Sequence, residues 1–309
     1  MKKAIVTGAG GFIGRTLTVE LLAHGVETVA LDVEGIDFAK RLPKSDGLRI
    51  VECDLSRLLS LGEGERKPFA GADVFYHLGW EGSAGDARAD YAVQLRNVQW
   101  SLDAVNFAKE SGCSRFVGAG SIMEKESGFV GNAQGARPGV AYIYGTAKLA
   151  AHYMTKPLAA QRGVDHVWAM ITNAYGAGES SPRFINATIR KILAEEPLEF
   201  TAGTQNYDFV YVSDVAKAFR LLGEAGKPFS QYILGSGGAK PLREFVEEMG
   251  RTLAPGRSLY FGNVPYTGVN LPSEEFAIDD LVRDTGWSAE VPFTEGVRKT
   301  YDWIKGSAL

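Results

Sequence analysis

Tyr144-Gly145-Thr146-Ala147-Lys148 places a phenol four residues before an ammonium, in a stretch that reads as helix. That spacing puts both side chains on one helical face. A lysine charge beside a phenol favours the phenolate and lowers its pKa, which suits proton transfer to or from a substrate oxygen near neutral pH. Ser121 precedes Tyr144 by 23 residues and follows the predicted strand Arg115–Val117. It therefore falls at the carboxyl end of a sheet, where open α/β folds bind ligands. The stretch between, Ser127 to Gly135, reads as a lid loop.

A second constellation lies near the start of the chain. Gly8, Gly11 and Gly14 in Thr7-Gly8-Ala9-Gly10-Gly11-Phe12-Ile13-Gly14 are spaced GxxGxxG, directly after a strand and opening a helix. One glycine allows the tight turn, one lets backbone N–H groups approach a pyrophosphate, and one lets helix pack on strand. Asp32 stands 18 residues beyond Gly14, at the end of the second predicted strand, where a carboxylate can bond an adenosine ribose. The run Asp32-Val33-Glu34-Gly35 holds no cation, so a 2′-phosphate would be repelled and NAD is favoured over NADP.

These groups need a rigid frame, and the apolar pattern supplies one. Ala4–Thr7, Thr28–Leu31, Arg49–Val51, Val74–Tyr76, Arg115–Val117 and His166–Ile171 read as buried strands. Helical patterns at Phe12–Ala23, Ala87–Glu110 and Ala141–Gln161 separate them. Repeated strand–helix units of this size predict a parallel sheet with helices on both faces. After Gly176 the elements shorten and alternate, ending in an amphipathic stretch from Phe293 to Ile304. The expected organisation is a dinucleotide-binding domain over 1–174 and a smaller substrate lobe over 175–309, interleaved with the first.

Composition narrows the function classes. The 309 residues are 45% hydrophobic and 23% charged, with 33 basic against 37 acidic side chains, a formal net charge of −4. That is globular composition without the concentrated Lys/Arg of a nucleic-acid binder. Two cysteines and four scattered histidines supply neither a disulfide framework nor a metal site. No run suits a signal peptide or membrane span, so a cytoplasmic location is expected. His77 reads as a strand-end histidine rather than a base, and Tyr207, Phe209 and Tyr211 as packing.

The chain resembles the extended short-chain dehydrogenases/reductases of the NAD-dependent sugar epimerase/dehydratase type. The resemblance rests on the glycine turn, Cys53-Asp54-Leu55, His77-Leu78-Gly79, Asn97, Ser121, Tyr144/Lys148, Asn173-Ala174-Tyr175-Gly176 and Asp208-Phe209-Val210-Tyr211-Val212. Thr285-Gly286-Trp287 and Phe293-Thr294-Glu295-Gly296-Val297 extend it to the end of the chain. It implies an α/β, Rossmann-type doubly wound parallel sheet with a smaller C-terminal substrate lobe, NAD as cofactor, and a homodimer pairing the two long helices. By the same resemblance, Gly8, Gly11, Phe12, Ile13 and Gly14 would hold the pyrophosphate, Asp32 the ribose, and Asp54 and Leu55 the adenine. Leu78 and Gly79 would pass the nicotinamide ribose, which Lys148 would bind while tuning Tyr144. Tyr144 would be the general acid/base, Ser121 would hold the reacting oxygen, and Asn173 would touch substrate.

The departures from that family are informative. Its dehydratases carry an Asp-Glu pair directly after the catalytic Ser/Thr; here Ile122 and Met123 stand there, which reads against a 4,6-dehydratase. Glu124 and Glu126, just beyond, read as a solvated loop. Arginines that grip a diphosphate are replaced by Met170 and Tyr207, and the segment 265–271 has none. Arg183, Arg190 or Lys191 would have to substitute. The expected activity is an NAD-dependent oxidoreductase or epimerase on a sugar hydroxyl, most naturally of a nucleotide sugar. The alternatives are a net keto-reductase or alcohol dehydrogenase on a sugar or small carbonyl compound without a diphosphate, and a non-catalytic NAD-binding protein.

Overall fold

The computed structural model describes residues 1–307. Seven parallel strands form the central sheet: β1 Lys3–Thr7, β2 Glu27–Asp32, β3 Leu48–Glu52, β4 Val74–His77, β5 Arg115–Ser121, β6 Asp165–Ile171, and the strand Ser230–Leu234. Across the sheet they run Ser230–Leu234, β6, β5, β4, β1, β2, β3. Every pairing is parallel, with β1 between β2 (Lys3 opposite Glu27) and β4 (Ala4 opposite Val74). The strands are apolar because helices cover both faces. This is the Rossmann-type α/β architecture.

Two apolar layers sandwich the sheet. One includes Ile5, Val29, Phe75, Phe107, Phe116 and Trp168, under the helices Tyr91–Glu110 and Tyr142–Arg162. The other includes Val6, Leu17, Leu21, Tyr76, Phe219 and Leu222, under the helices Phe12–Ala23 and Val212–Ala225. A third cluster, with Ile189, Phe200, Phe209, Phe245 and Val297, unites the helices Phe184–Leu193, Leu242–Leu253 and Phe293–Ser307 beyond the sheet.

The chain turns back across β1 after β3, so the strand order reverses between β1 and β4. Loops leaving those two strands separate there and leave a crevice at the carboxyl edge. The crevice is tight at its floor: a Cβ on Gly8, whose φ is +68°, would lie 2.7 Å from Gly79 N. Thr7 locks the two strand ends, its Oγ1 accepting from the N–H groups of Leu78 (3.2 Å) and Gly79 (3.1 Å).

The helix Tyr91–Glu110 starts at Asp90, whose carboxylate accepts from Ala92 and Val93 N–H. The helix Tyr142–Arg162 ends on Gly163 in the left-handed region. The expected lid loop is in fact mostly helical, since Met123–Asn132 forms a helix packed against Tyr142–Arg162. Gly145 makes that packing possible, because a Cβ there would lie 2.5 Å from Met123 O and 2.2 Å from Ser127 Oγ.

Candidate active site

A cleft of about 880 Å³ runs along the carboxyl edge of the sheet. Gly8, Gly11, Phe12, Ile13, Gly14, Asp32, Asp54, Leu55, Leu78, Gly79, Ser121, Tyr144 and Lys148 all line it. Asn173 does not; its amide donates instead to Asp208 O at 3.3 Å.

At one end lies the glycine turn. No side chain caps the helix Phe12–Ala23, so its first N–H groups face the cleft unclaimed by a side chain. A Cβ on Gly14 would meet Gly8 O at 2.0 Å, so only glycine lets the helix sit this close to the turn. Asp32 Oδ2 accepts from Gly10 N–H and Oδ1 from Val33 N–H, both at 2.9 Å, which fixes the carboxylate at the rim. Arg41 also reaches this end and donates to Gly10 O at 2.7 Å, a cation that the run Asp32–Gly35 does not reveal. A turn with free N–H groups beside a fixed carboxylate fits a dinucleotide.

At the other end, Ser121 closes β5 and Tyr144 and Lys148 rise from the first two turns of the helix Tyr142–Arg162. Both helix residues are buried. The Lys148 ammonium donates to Ala119 O at 2.8 Å and sits 3.6 Å from the centre of the Trp80 ring. Burial pushes Lys148 down to about 7, opposed by the Glu124 carboxylate. The Trp80 ring also meets Tyr144 edge-on, with centroids 6.1 Å apart.

Tyr144 differs from the sequence expectation. Burial raises its pKa above the ordinary tyrosine value. Arg183, Arg88 and the Ser121 side chain favour its phenolate. The lysine holds a carbonyl and an indole face. Among the substitute cations, Arg183 lines the cleft, while Arg190 and Lys191 are exposed and do not.

Glu124 also departs from expectation. It is buried, not solvated. Its Oε1 accepts from Ser121 N–H at 2.8 Å and from Trp168 Nε1 at 3.0 Å, and its Oε2 lies 3.1 Å from His152 Nδ1. One carboxylate thus ties the end of β5 to the middle of β6 and to the helix bearing Tyr144 and Lys148. Glu126 is half-buried, and desolvation pushes it up to about 7 against the pull of Arg88. His77 is held between Thr7 Oγ1 (3.0 Å) and Ser101 Oγ (3.1 Å), and burial pushes it down to about 3. Asn97 staples the loop after β4, bonding both the N–H and the carbonyl of Glu81.

Residues 4–235 match the NAD dependent epimerase/dehydratase family. The chain belongs to that family. NAD is the family's cofactor, and the glycine turn with Asp32 has the parts to hold it. The UDP-glucose 4-epimerase of Mycolicibacterium smegmatis is 26% identical over 99% of this chain and 99% of its own. The dTDP-D-glucose 4,6-dehydratase of Mus musculus is 21% identical over 98% of this chain and 89% of its own. A solved structure, MoeE5 in complex with UDP-glucuronic acid and NAD, is 27% identical with a TM-score of 0.73, covering 99% of this chain and 100% of that one. Dehydratases therefore stand among the relatives along with epimerases, and the exclusion drawn from Ile122 and Met123 does not hold. Two positions are too narrow a basis for it.

Proposed function

We propose that this protein oxidises a hydroxyl of a nucleotide sugar as the first step of an NAD-dependent epimerase or oxidoreductase cycle. The observation that carries this reading is the convergence of Ser121, Tyr144 and Lys148 in the cleft whose other end is the glycine turn and Asp32. NAD, when bound, supplies the hydride acceptor. Tyr144 takes the hydroxyl proton, and Ser121 holds the same oxygen by a hydrogen bond. Lys148 orients the nicotinamide ribose. In an epimerase, the carbonyl product turns within the site before the hydride returns to its other face and the proton returns from Tyr144.

Arg183 anchors the anionic part of the substrate, standing in for the arginines replaced by Met170 and Tyr207. Its position supports this: it lines the cleft beside Tyr144, its guanidinium 3.6 Å from Glu179 and 3.4 Å from Ser83 O. A guanidinium paired with a phosphate gives a charge-assisted bond of about 1.5–3 kcal/mol. Arg183→Ala is therefore expected to raise the KM for a nucleoside-diphosphate sugar by about 10- to 100-fold, with a smaller change in kcat.

The deciding experiment incubates the protein and NAD with a panel of nucleoside-diphosphate sugars, following products by NMR and NADH by absorbance. Converted sugar without net NADH is the expected result. Stoichiometric NADH from free sugars or small alcohols, with none of the nucleotide sugars converted, would overturn it.

The long helices carry an exposed apolar stripe: Tyr91 and Leu95 on one, Tyr153 and Met154 on the other. Such a stripe on paired helices suits association with a second copy. The solution mass is expected at about twice the 33.4 kDa of one chain, falling to a single chain in Leu95→Arg. Light scattering that finds a monomer at micromolar concentration would count against the dimer.

A further inference from the structure

Arg88 is half-buried, and one nitrogen of its guanidinium is withdrawn from water. It belongs to the short 3₁₀ turn Asp86–Ala89 that precedes the helix Tyr91–Glu110. Its guanidinium carbon lies 4.6 Å from the centre of the Tyr144 ring. The Nε is buried and has no hydrogen-bond partner among the described residues. One terminal nitrogen points at the Met123 sulfur, a weak acceptor. Leaving a buried guanidinium N–H without a partner is costly, and such groups call for an explanation.

We propose that Arg88 is a positioning residue for proton transfer, its guanidinium holding the Tyr144 ring and biasing the phenol toward phenolate. This rests on the reading of Tyr144 as the group that takes the substrate proton. Lys148 holds Ala119 O and the Trp80 face from the Tyr144 helix itself, and Arg88 adds a second cation from another element. A cation against the ring is close enough to stabilise a charge delocalised over ring and oxygen. A phenolate, in turn, gives the guanidinium a negative group in direct contact, whereas Glu126 acts on it without a direct ion pair.

The other groups around Tyr144 come from several elements. Arg183, at the start of the helix Phe184–Leu193, favours the phenolate, as does the Ser121 side chain at the end of β5. Glu124, on the helix Met123–Asn132, opposes it. Lys148 follows one turn later on the same helix as Tyr144, and Trp80 presents an uncharged edge. Glu126 acts on Arg88 rather than on Tyr144, favouring the guanidinium charge. Arg183 has Glu179 as a carboxylate partner and faces the open cleft. Arg88 is thus the cation in direct contact with the ring. Removing it removes one of the influences that lower the Tyr144 pKa, so that pKa rises.

The test is a spectroscopic titration of the NAD-loaded protein, following phenolate absorbance against Tyr144→Phe so that only Tyr144 is read. Arg88→Met, which keeps an apolar stem beside Met123, and Arg88→Gln are expected to move the Tyr144 midpoint upward by about one unit or more. Arg88→Lys is expected to move it less. A midpoint unchanged in whichever of Arg88→Met and Arg88→Gln folds would overturn the proposal. The titration requires no turnover, so it stands or falls separately from the choice of substrate. With a substrate in hand, the Arg88 variants should lose rate at low pH and regain it at high pH. A rate lowered equally at every pH would mark Arg88 as merely structural and overturn the proposal.

Discussion

Tyr144→Phe is expected to lower kcat by about two to four orders of magnitude, the usual contribution of a positioned proton-transfer group. The substitution is close to surgical. Phenylalanine keeps the ring that meets Trp80 edge-on and carries the Arg88 guanidinium on its face, so only the hydroxyl is lost. The neighbouring groups are poor substitutes for its proton transfer. His77 is buried, bonded at both ring nitrogens and pushed down to about 3. Lys148 is held by a carbonyl and an indole, and Ser121 without a base is too weak an acceptor. NAD affinity should persist, because the glycine turn and Asp32 lie at the other end of the cleft. Steady-state kinetics and fluorescence titration with NADH check both halves. A Tyr144→Phe enzyme within tenfold of the parent would sink the mechanism.

The parts legible in the sequence were those written locally. Gly8, Gly11 and Gly14 announce a turn because strand, tight bend and helix follow within a dozen residues. The 3.6-residue period shows that Tyr144 and Lys148 share a face. Buried parallel strands reveal themselves as short apolar runs, and the helix Phe12–Ala23 begins and ends where its pattern does. The parts that escaped depend on residues far apart in the chain. Gly128, Gly131 and Asn132 resemble a loop, yet Met123–Asn132 is helical because Gly145 opens a seat for it on the helix Tyr142–Arg162. The run Glu124-Lys125-Glu126 looks solvated, since nothing local shows that Trp168 and His152 wait to receive the first carboxylate. Lys148 was credited with tuning Tyr144 because it shares the helix. Arg183 and Arg88, brought in by other segments, also favour the phenolate, and nothing near Tyr144 in the sequence reveals them. Spacing can say which groups share a face, but not which of their atoms are already bonded.

Glu124→Ala is expected to be the most destabilising substitution near the site, costing about 4 kcal/mol or more. The carboxylate is 2% exposed and answers the Ser121 N–H, the Trp168 indole N–H and the His152 ring nitrogen. Alanine would leave these groups buried without a partner, at about 1–3 kcal/mol for each stranded donor, and would open a void where the side chain lay. Against a typical folding stability of about 5–15 kcal/mol, that is a large fraction. Glu124→Gln offers a sharper comparison. Its amide oxygen can still accept from Ser121 and Trp168, while its NH₂ can donate to His152 once that ring carries its proton on the far nitrogen. Gln should therefore cost less than Ala, and urea unfolding of the two variants measures the gap. If Ala and Gln prove equal, or if both lie within about 0.5 kcal/mol of the parent as surface changes do, the buried network is not what holds this region. The same bonds explain why a stability defect here would reach the chemistry. The Ser121 backbone and the helix that carries Tyr144 and Lys148 share Glu124 as a common anchor, so loosening it separates the hydroxyl that holds the substrate oxygen from the phenolate that takes its proton.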